Sequence, residues 1–137
     1  MAFWLFKSEP SAWSWEQQVK KGAAGEPWSG VRNFQAANNM KAMRPGDRGF
    51  FYHSVHEKRI MGIVEVIGAY RPDPTDERGR FGLVDVKAVR ALPQPVTLAE
   101  IKANPRLAGM ALLRQSRLSV QPVAAEAWAE ICRMGGL

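Results

Sequence analysis

Two β-rich runs separated by only three residues constrain the fold of this chain more than any other feature. Residues 49–55 (GFFYHSV) and 59–70 (RIMGIVEVIGAY) are rich in the aromatic and β-branched side chains that favour strands. Glu57 and Lys58 lie in the connection, so the runs predict a hairpin. The remaining predicted strands are added to this pair.

Three more strands are predicted on either side of the hairpin. They are residues 2–7 (AFWLFK), residues 81–92 (FGLVDVKAVRAL), which end at the Pro93-Gln94-Pro95 break, and residues 117–121. Residues 71–80 are predicted as a polar loop, because two prolines within four residues exclude a regular element.

Four short helices are predicted from capping signals and apolar spacing. Capping boxes begin two of them, at residues 14–17 and 97–100. A third spans residues 33–43 with Phe34 among its apolar positions, and Pro122 suits the first turn of the fourth. Strands and helices do not alternate regularly. The pattern predicts an α+β fold, in which a mixed sheet of about five strands closes as a small β-barrel with peripheral short helices.

Length and composition indicate a single domain over residues 1–137. The chain is 46% hydrophobic and 23% charged, as in ordinary globular proteins. No apolar run approaches the ~20 residues of a membrane span, so no membrane partner is expected. The first ten residues lack a secretory signal, and the single cysteine, Cys132, excludes an intrachain disulfide. We therefore expect a cytoplasmic monomer.

The formal net charge of +6 favours a polyanionic partner. Two windows contain basic but no acidic residues: residues 27–46, which include Arg32 and Arg44, and residues 101–125, which include Arg114 and Arg117. Solvated surface is the alternative interpretation of such windows.

The sequence contains no convincing catalytic or metal-binding motif. His53 and His56 are three residues apart; if both lay on one strand they would face opposite sides, so they make a poor metal pair. His53 and Ser54 are adjacent and also diverge, which excludes a direct dyad. Tyr52, His53 and Glu9 are the only acid–base candidates near a motif. We expect no enzyme activity, no cofactor and no metal.

The five tryptophans separate into structural and functional candidates. Trp4 in the first strand and Trp128 in the last helix are expected to be structural. Trp13 and Trp15 flank a helix start, where stapling the helix onto the sheet is favoured over ligand contact.

Trp28 differs because it lies in a loop with no apolar period. Ser29, Arg32 and Asn33 are close by, a mixture that suits stacking on a flat heterocycle and hydrogen bonding to its edge. A core tryptophan is the alternative interpretation.

Five motifs in order resemble the EVE domain almost from end to end. They are WLFKSEP, WSGVRNFQAANNM, GDRGFFYHS, MGIVEV and LLRQSRLSVQPV, which begin at residues 4, 28, 46, 61 and 112. EVE domains belong to the PUA-like superfamily of small β-barrels with peripheral helices. Their relatives include the YTH domains, which read methylated adenine in RNA.

The resemblance implies a base pocket and a basic approach to it. Lys7-Ser8 and Trp28-Ser29 match YTH pocket pairs, and Tyr52, His53 and Ser54 match the strand that floors that pocket. No equivalent of the second YTH cage tryptophan is assigned. Together with neighbours in the EVE motif, the implied pocket residues are Lys7, Ser8, Trp28, Ser29, Val31, Arg32, Asn33, Tyr52, His53 and Ser54. Those expected to contact the nucleic-acid backbone are Arg44, Arg114, Gln115, Ser116 and Arg117.

The resulting expectation is a non-catalytic module that holds a modified, methylated base of DNA or RNA in an aromatic and polar pocket. The alternative is a sensor that uses the same pocket for a free nucleobase or another heterocycle. A reader should bind oligonucleotides in a salt-dependent manner, whereas a sensor should be nearly indifferent to salt.

Overall fold

The computed structural model describes residues 1–137 and contains eight strands. They are β1 (Phe3–Ser8), β2 (Glu26–Pro27), β3 (Arg48–His53), β4 (Arg59–Val66), β5 (Arg71–Pro72), β6 (Gly82–Leu83), β7 (Asp85–Thr97) and β8 (Val120–Val123). Six of them form one sheet in the order β2-β7-β4-β3-β1-β8, while β5 and β6 pair with each other as a separate arm. The two-residue β5 lies where only a loop was predicted.

The predicted hairpin of β3 and β4 occupies the centre of the sheet. Its strands are antiparallel, with Arg48 opposite Glu65 and His53 opposite Arg59. β1 runs parallel to β3, which makes the sheet mixed. The predicted α+β fold is confirmed. The edge strands β2 and β8 do not pair, so the curled sheet is a half-barrel and not a closed barrel.

Five short α-helices pack around this sheet. They are α1 (Trp15–Lys20), α2 (Phe34–Ala42), α3 (Leu98–Ala103), α4 (Ala111–Arg114) and α5 (Ala125–Met134). Both predicted capping boxes form and begin α1 and α3. α4 was not predicted, because it has only four residues and no side-chain cap. None of the five helices is long and apolar enough to cross a membrane.

Two prolines that were predicted to end a strand lie inside β7 instead. β7 continues past Pro93 and Pro95 to Thr97. The register with β4 jumps there, from Gly62 opposite Ala91 to Ile60 opposite Val96. Residues in such an irregular stretch need no ladder hydrogen bond, so proline is tolerated.

Pro122 lies in β8 and not in the first turn of the last helix. It is opposite Trp4 of β1, on the edge strand of the sheet, where a missing N–H faces no further strand. The helix begins three residues later than predicted, at Ala125, with Ala124 as its N-cap residue. Ala127 and Ile131 are buried, as the helical spacing indicated.

Alternation along the strands divides the core into two clusters, one on each face of the sheet. Phe6 and Phe51 belong to the first cluster, with Trp15 and Trp28. Leu5 and Tyr52 belong to the second. Successive strand residues point to opposite faces, so a residue's place in the strand decides which face it can serve.

Trp4, Trp15 and Trp128 have the structural roles expected of them. The Trp15 indole packs against Phe51 and crosses the strand at Gly62, where any side chain would meet the indole ring. Trp128 is stacked between Phe3 and Phe50, with ring centroids 4.4 and 3.9 Å away. The Trp4 Nε1 donates to Asp47 at 3.1 Å.

Candidate functional site

A cavity of about 430 Å³ lies where β1, the loop before α1 and the loop after β2 meet. This volume falls in the range of about 300–1,000 Å³ that is typical of ligand sites. The lining, called here the base cavity, consists of Lys7, Ser8, Glu9, Ala12, Trp13, Glu26, Pro27, Trp28, Ser29, Gly30, Val31, Arg32 and Ser119. Six of the ten predicted pocket residues are therefore brought together: Lys7, Ser8, Trp28, Ser29, Val31 and Arg32.

Trp28 is both a wall of the base cavity and part of the core. Trp28 is only 8% exposed, and its ring makes edge contacts with the rings of Phe6 and Phe51, whose centroids lie 5.1 and 5.6 Å away. Its backbone N–H donates to Val84 of the neighbouring chain segment at 2.8 Å. The two interpretations of Trp28 are thus compatible, because the core contacts hold the indole at the cavity in one orientation.

Trp13 lines the cavity, although ligand contact was the less favoured interpretation of this residue. It lies just before the N-cap of α1, and its Nε1 donates to Gln18 Oε1 at 2.9 Å. The Ser8 hydroxyl in turn donates to the Trp13 carbonyl. Trp13 therefore staples the helix as predicted and also supplies the cavity with a second indole. Its sequence position favoured the first role over the second.

Lys7 joins the base cavity to the segment that follows α4. It is the penultimate residue of β1, and its Nζ donates to the Ser116 carbonyl at 2.6 Å. Burial lowers the pKa of the Lys7 ammonium from its ordinary value. The cavity wall thus contains a half-buried donor beside the Ser8 hydroxyl.

The loop that forms the lip of the cavity is held by a buried carboxylate. Asp73 Oδ2 accepts from the Gly30 N–H at 2.8 Å and from Arg32 Nη1 at 3.1 Å. Gly30 has a φ of +84°, a conformation that favours glycine. Arg32 Nη2 also donates to the Thr75 hydroxyl at 3.0 Å. The β5–β6 arm therefore fixes the lip through Asp73.

Sequence reasoning missed Asp73 as a partner of the cavity. The local signal was present, since Asp73 accepts from the N–H of Thr75 two residues on at 2.8 Å, as aspartates in turns often do. Its link to Gly30 spans 43 residues and leaves no local pattern. The Asp73 side chain is fully buried.

The stability that Asp73 contributes should depend on pH. Burial alone would raise its pKa, but hydrogen bonds from Thr75, Gly30 and Arg32 lower it to about 2, against an ordinary 3.8. A lowered pKa stabilises the fold above the unfolded value, and this contribution is lost as the pH falls through the folded value. Asp73→Asn should therefore lower the free energy of unfolding by about 1–2 kcal/mol at pH 7.

Urea denaturation of the wild type and Asp73→Asn between pH 7 and pH 2 measures this contribution. The difference in the free energy of unfolding between the two proteins should be constant down to about pH 4 and should disappear towards pH 2. Asp85→Asn is the control, because the Asp85 carboxylate pairs with Arg71 of the same arm at 3.0 Å and does not touch the lip. A difference that persists at pH 2 would contradict the assignment.

Tyr52, His53 and Ser54 do not line the base cavity. Tyr52 is buried on the opposite face of the sheet with the second core cluster, and burial raises its pKa. Ser54 follows β3 and donates its N–H to the Ser8 carbonyl at 2.9 Å. The predicted floor of the pocket is thus not formed by these side chains.

His53 is hydrogen-bonded to the first residue of α1. Its Nε2 accepts from the Trp15 N–H at 3.0 Å, and its Nδ1 lies 2.9 Å from Glu57 Oε1. Because a main-chain N–H can only donate, these partners place the ring proton on Nδ1. Both nitrogens are occupied, and the residue is 5% exposed. This histidine has no free position for a ligand.

A second, cationic cavity of about 310 Å³ contains most of the residues predicted to contact a nucleic-acid backbone. It is lined by Asn33, Gln35, Arg114, Gln115, Ser116, Arg117 and Leu118. Arg114 and Arg117 are exposed and form no ion pair with an acidic side chain. Asn33, predicted in the base pocket, lies here and caps α2 by accepting from the Ala36 N–H. Ser116 links the two cavities through its contact with Lys7.

Arg44 lies apart from both cavities. It belongs to the turn before β3, where its N–H donates to Asp47 at 3.1 Å. Lys7 and Ser8 are at the other end of the parallel pair β1 and β3, roughly 17 Å along the strands. The structure does not bring Arg44 to the site that the sequence assigned to it.

Other parts of the molecule offer weaker candidates. A larger depression, of about 720 Å³, surrounds Glu130. Hydrogen bonds from Arg133 and Asn104 lower the pKa of Glu130 to about 2 and satisfy its carboxylate. No group of three or more His, Cys, Asp or Glu side chains is placed to hold a metal ion.

Solved structures of other proteins share this fold, and two of those proteins were solved in complex with methylated DNA or RNA. Rpa0253 from Rhodopseudomonas palustris, solved by NMR, is 62% identical, with a TM-score of 0.94 over 99% of this chain and 94% of that one. The human THYN1 protein in complex with 5-methylcytosine containing DNA is 28% identical, with a TM-score of 0.93 over 100% of this chain and 99% of that one. A YTH domain from Zygosaccharomyces rouxii in complex with N6-methyladenosine RNA, at 21% identity and a TM-score of 0.58, shares the fold.

Thymocyte nuclear protein 1 of Gallus gallus is similar along most of this chain. The two are 33% identical, and the alignment covers 90% of this chain but only 64% of the chicken protein. The EVE domain family model matches residues 2–134. The chain therefore belongs to the EVE domain family.

Proposed function

We propose that residues 1–137 act as a single, non-catalytic domain that holds one methylated base of DNA or RNA in the base cavity. The observation that carries this proposal is the pairing of two cavities. One has indole walls and the volume of a ligand site, and the other, joined to it by the Lys7–Ser116 hydrogen bond, presents unpaired arginines. The domain would act as a monomer, because one chain supplies both cavities.

The base cavity offers the two kinds of contact that a nucleobase needs. Trp13 and Trp28 supply aromatic surface, and stacking on such a surface is worth roughly 1–3 kcal/mol per base. Lys7 and Arg32 can donate to the edge of the base, while the Glu9 and Glu26 carboxylates can accept from an exocyclic amino group. The base cavity can therefore contact both the aromatic face and the polar edge of a base.

A methyl group on the base would be favoured by the apolar part of the lining. Trp13, Trp28 and Val31 border the cavity, and burying one methyl-sized group is worth about 0.8 kcal/mol. That free energy corresponds to roughly a fourfold preference for the methylated base. We expect a preference of at least this size over the unmodified base.

The cationic cavity would bind the phosphates of the same strand. Arg114 and Arg117 form no ion pair, so binding a phosphate would break no salt bridge. Phosphate contacts position a strand, whereas base contacts specify it. The +6 charge of the chain acts in the same direction.

The choice of the first ligand to test rests on a relative. The human THYN1 structure contains 5-methylcytosine DNA and matches this chain over its full length. The YTH likeness is too distant in sequence to transfer its ligand. We therefore propose 5-methylcytosine as the first candidate.

Fluorescence anisotropy with oligonucleotides that differ in one central base tests the proposal. The set contains cytosine, 5-methylcytosine, adenine and N6-methyladenine, each in DNA and RNA, at three salt concentrations. A methylated member should bind at least about fourfold more tightly than its parent, with affinity that falls as salt rises. Equal affinity for every pair would refute the reader. Salt-independent binding of the free nucleobase alone would support a small-molecule sensor.

Mass spectrometry of the recovered oligonucleotides tests the non-catalytic part. We expect every member unchanged after prolonged incubation, since His53 is fully engaged and no dyad lies in the base cavity. Conversion of a base that disappears in Glu9→Gln would show an enzyme instead.

A further inference from the structure

Phe34 is the only exposed residue among the phenylalanines, tyrosines and tryptophans of the chain. It is 59% exposed, although it is the first residue of α2 and a polar residue would serve there equally well. One side of its ring packs on Phe81, with centroids 4.7 Å apart. Phe81 is 6% exposed and forms a fixed support. The pair therefore presents a braced aromatic surface to solvent.

Two arginines flank this pair. The guanidinium carbons of Arg32 and Arg80 each lie 5.8 Å from the centre of the Phe81 ring. Arg32 is held by Asp73 and Thr75, but the Arg80 guanidinium forms no hydrogen bond or ion pair within the chain. The neighbouring Asp76 carboxylate is occupied by three backbone N–H groups. Arg80 is left as a free cation beside an exposed ring.

The position of Phe34 relates this surface to both cavities. Arg32 lines the base cavity, and Asn33 lines the cationic cavity. Phe34 is the next residue in the chain. Its ring packs on Phe81, and so does the guanidinium of Arg32, which places the ring beside a residue of the base cavity.

We propose that Phe34 is a stacking platform for an unpaired base adjacent to the held base, with Arg80 near its phosphate. This inference rests on the proposed function and extends it from one base to two neighbouring nucleotides of a single-stranded stretch. Aromatic stacking tolerates any base, so the platform would add affinity without sequence preference. A purely structural role, in which Phe34 only covers Phe81, is the competing explanation.

The test compares Phe34→Leu and Phe34→Trp. Leucine keeps an apolar cover over Phe81 and removes the aromatic face, whereas tryptophan keeps that face. Val19→Ala is the control, since Val19 is a 49% exposed apolar residue on α1 outside both cavities. NMR titration measures 5-methyldeoxycytidine, a trinucleotide with central 5-methylcytosine, and the same trinucleotide with abasic neighbours.

Phe34→Leu should weaken binding of the intact trinucleotide about tenfold. It should leave the nucleoside, the abasic trinucleotide and the melting temperature unchanged, and Phe34→Trp should retain wild-type affinity. Equal losses for all three ligands, or no loss for the intact trinucleotide, would overturn the platform. A fourth titration uses the unmethylated trinucleotide: if the wild type bound it as tightly as the methylated one, the base reader would fail, and a selective effect of Phe34→Leu would still support the platform.

Discussion

Trp28→Ala should lower the free energy of unfolding by about 3–5 kcal/mol and weaken binding of the methylated oligonucleotide roughly tenfold to a hundredfold. The loss of stability follows from burial, because the indole packs edge-on against Phe6 and Phe51. The loss of affinity follows from its place in the wall of the base cavity. Thermal melting and anisotropy, performed well below the melting temperature, measure the two effects.

Trp128→Ala is the matched control for this experiment. Trp128 is also a large aromatic side chain, partly buried and stacked on Phe3 and Phe50, and it packs against the second core cluster on the sheet face opposite Trp28. It should cost a comparable amount of stability but leave the affinity of the folded protein unchanged. Normal affinity in folded Trp28→Ala, or an equal loss of affinity in Trp128→Ala, would contradict the role assigned to Trp28.

The double variant Arg114→Glu/Arg117→Glu should lose affinity for every oligonucleotide, on the order of a hundredfold at low salt. Each phosphate contact removed lowers the slope of log K against log salt by about one, so two contacts should lower it by about two. The preference for the methylated base should survive, because phosphate contacts do not read the base.

Arg44→Glu/Lys102→Glu changes the net charge by the same amount and is the matched control. Arg44 lies at the far end of β1 and β3, and Lys102 is an exposed residue of α3. General attraction by the positive field would make the two double variants equally weak. That equality, or an unchanged salt slope in Arg114→Glu/Arg117→Glu, would place the phosphate path elsewhere.

Local sequence signals predicted the individual helices and strands better than they predicted whether the sheet closes into a barrel. The capping boxes at Ser14 and Thr97 form as expected, since such boxes depend on residues three positions apart. Whether the edge strands β2 and β8 pair depends on the curvature of the whole sheet, which no local pattern describes. Pro93 and Pro95 were misread because a break in register, invisible in the sequence, accommodates them.

The site residues that belong to sequence motifs were predictable, whereas those whose position depends on contacts between distant parts of the chain were not. Lys7 and Trp28 do meet at one cavity. Tyr52 was misplaced because strand alternation turns it to the other face, and His53 because α1 covers it. Asp73 is 43 residues from Gly30 in the sequence and reaches the lip only because the arm folds back on it.

The indole N–H signals in a ¹H–¹⁵N NMR spectrum test the central claim most directly. The five tryptophans give five such signals, assigned by single substitution, and the ligand is the tightest-binding member of the oligonucleotide set. Trp13 and Trp28 line the base cavity, whereas Trp4 and Trp15 lie behind it in the first core cluster and Trp128 packs against the second cluster. A base held in this cavity should shift the signals of Trp13 and Trp28, saturating at one oligonucleotide per chain, and leave the other three in place. Saturable binding that leaves Trp13 and Trp28 unshifted, or that shifts Trp128 instead, would contradict the account.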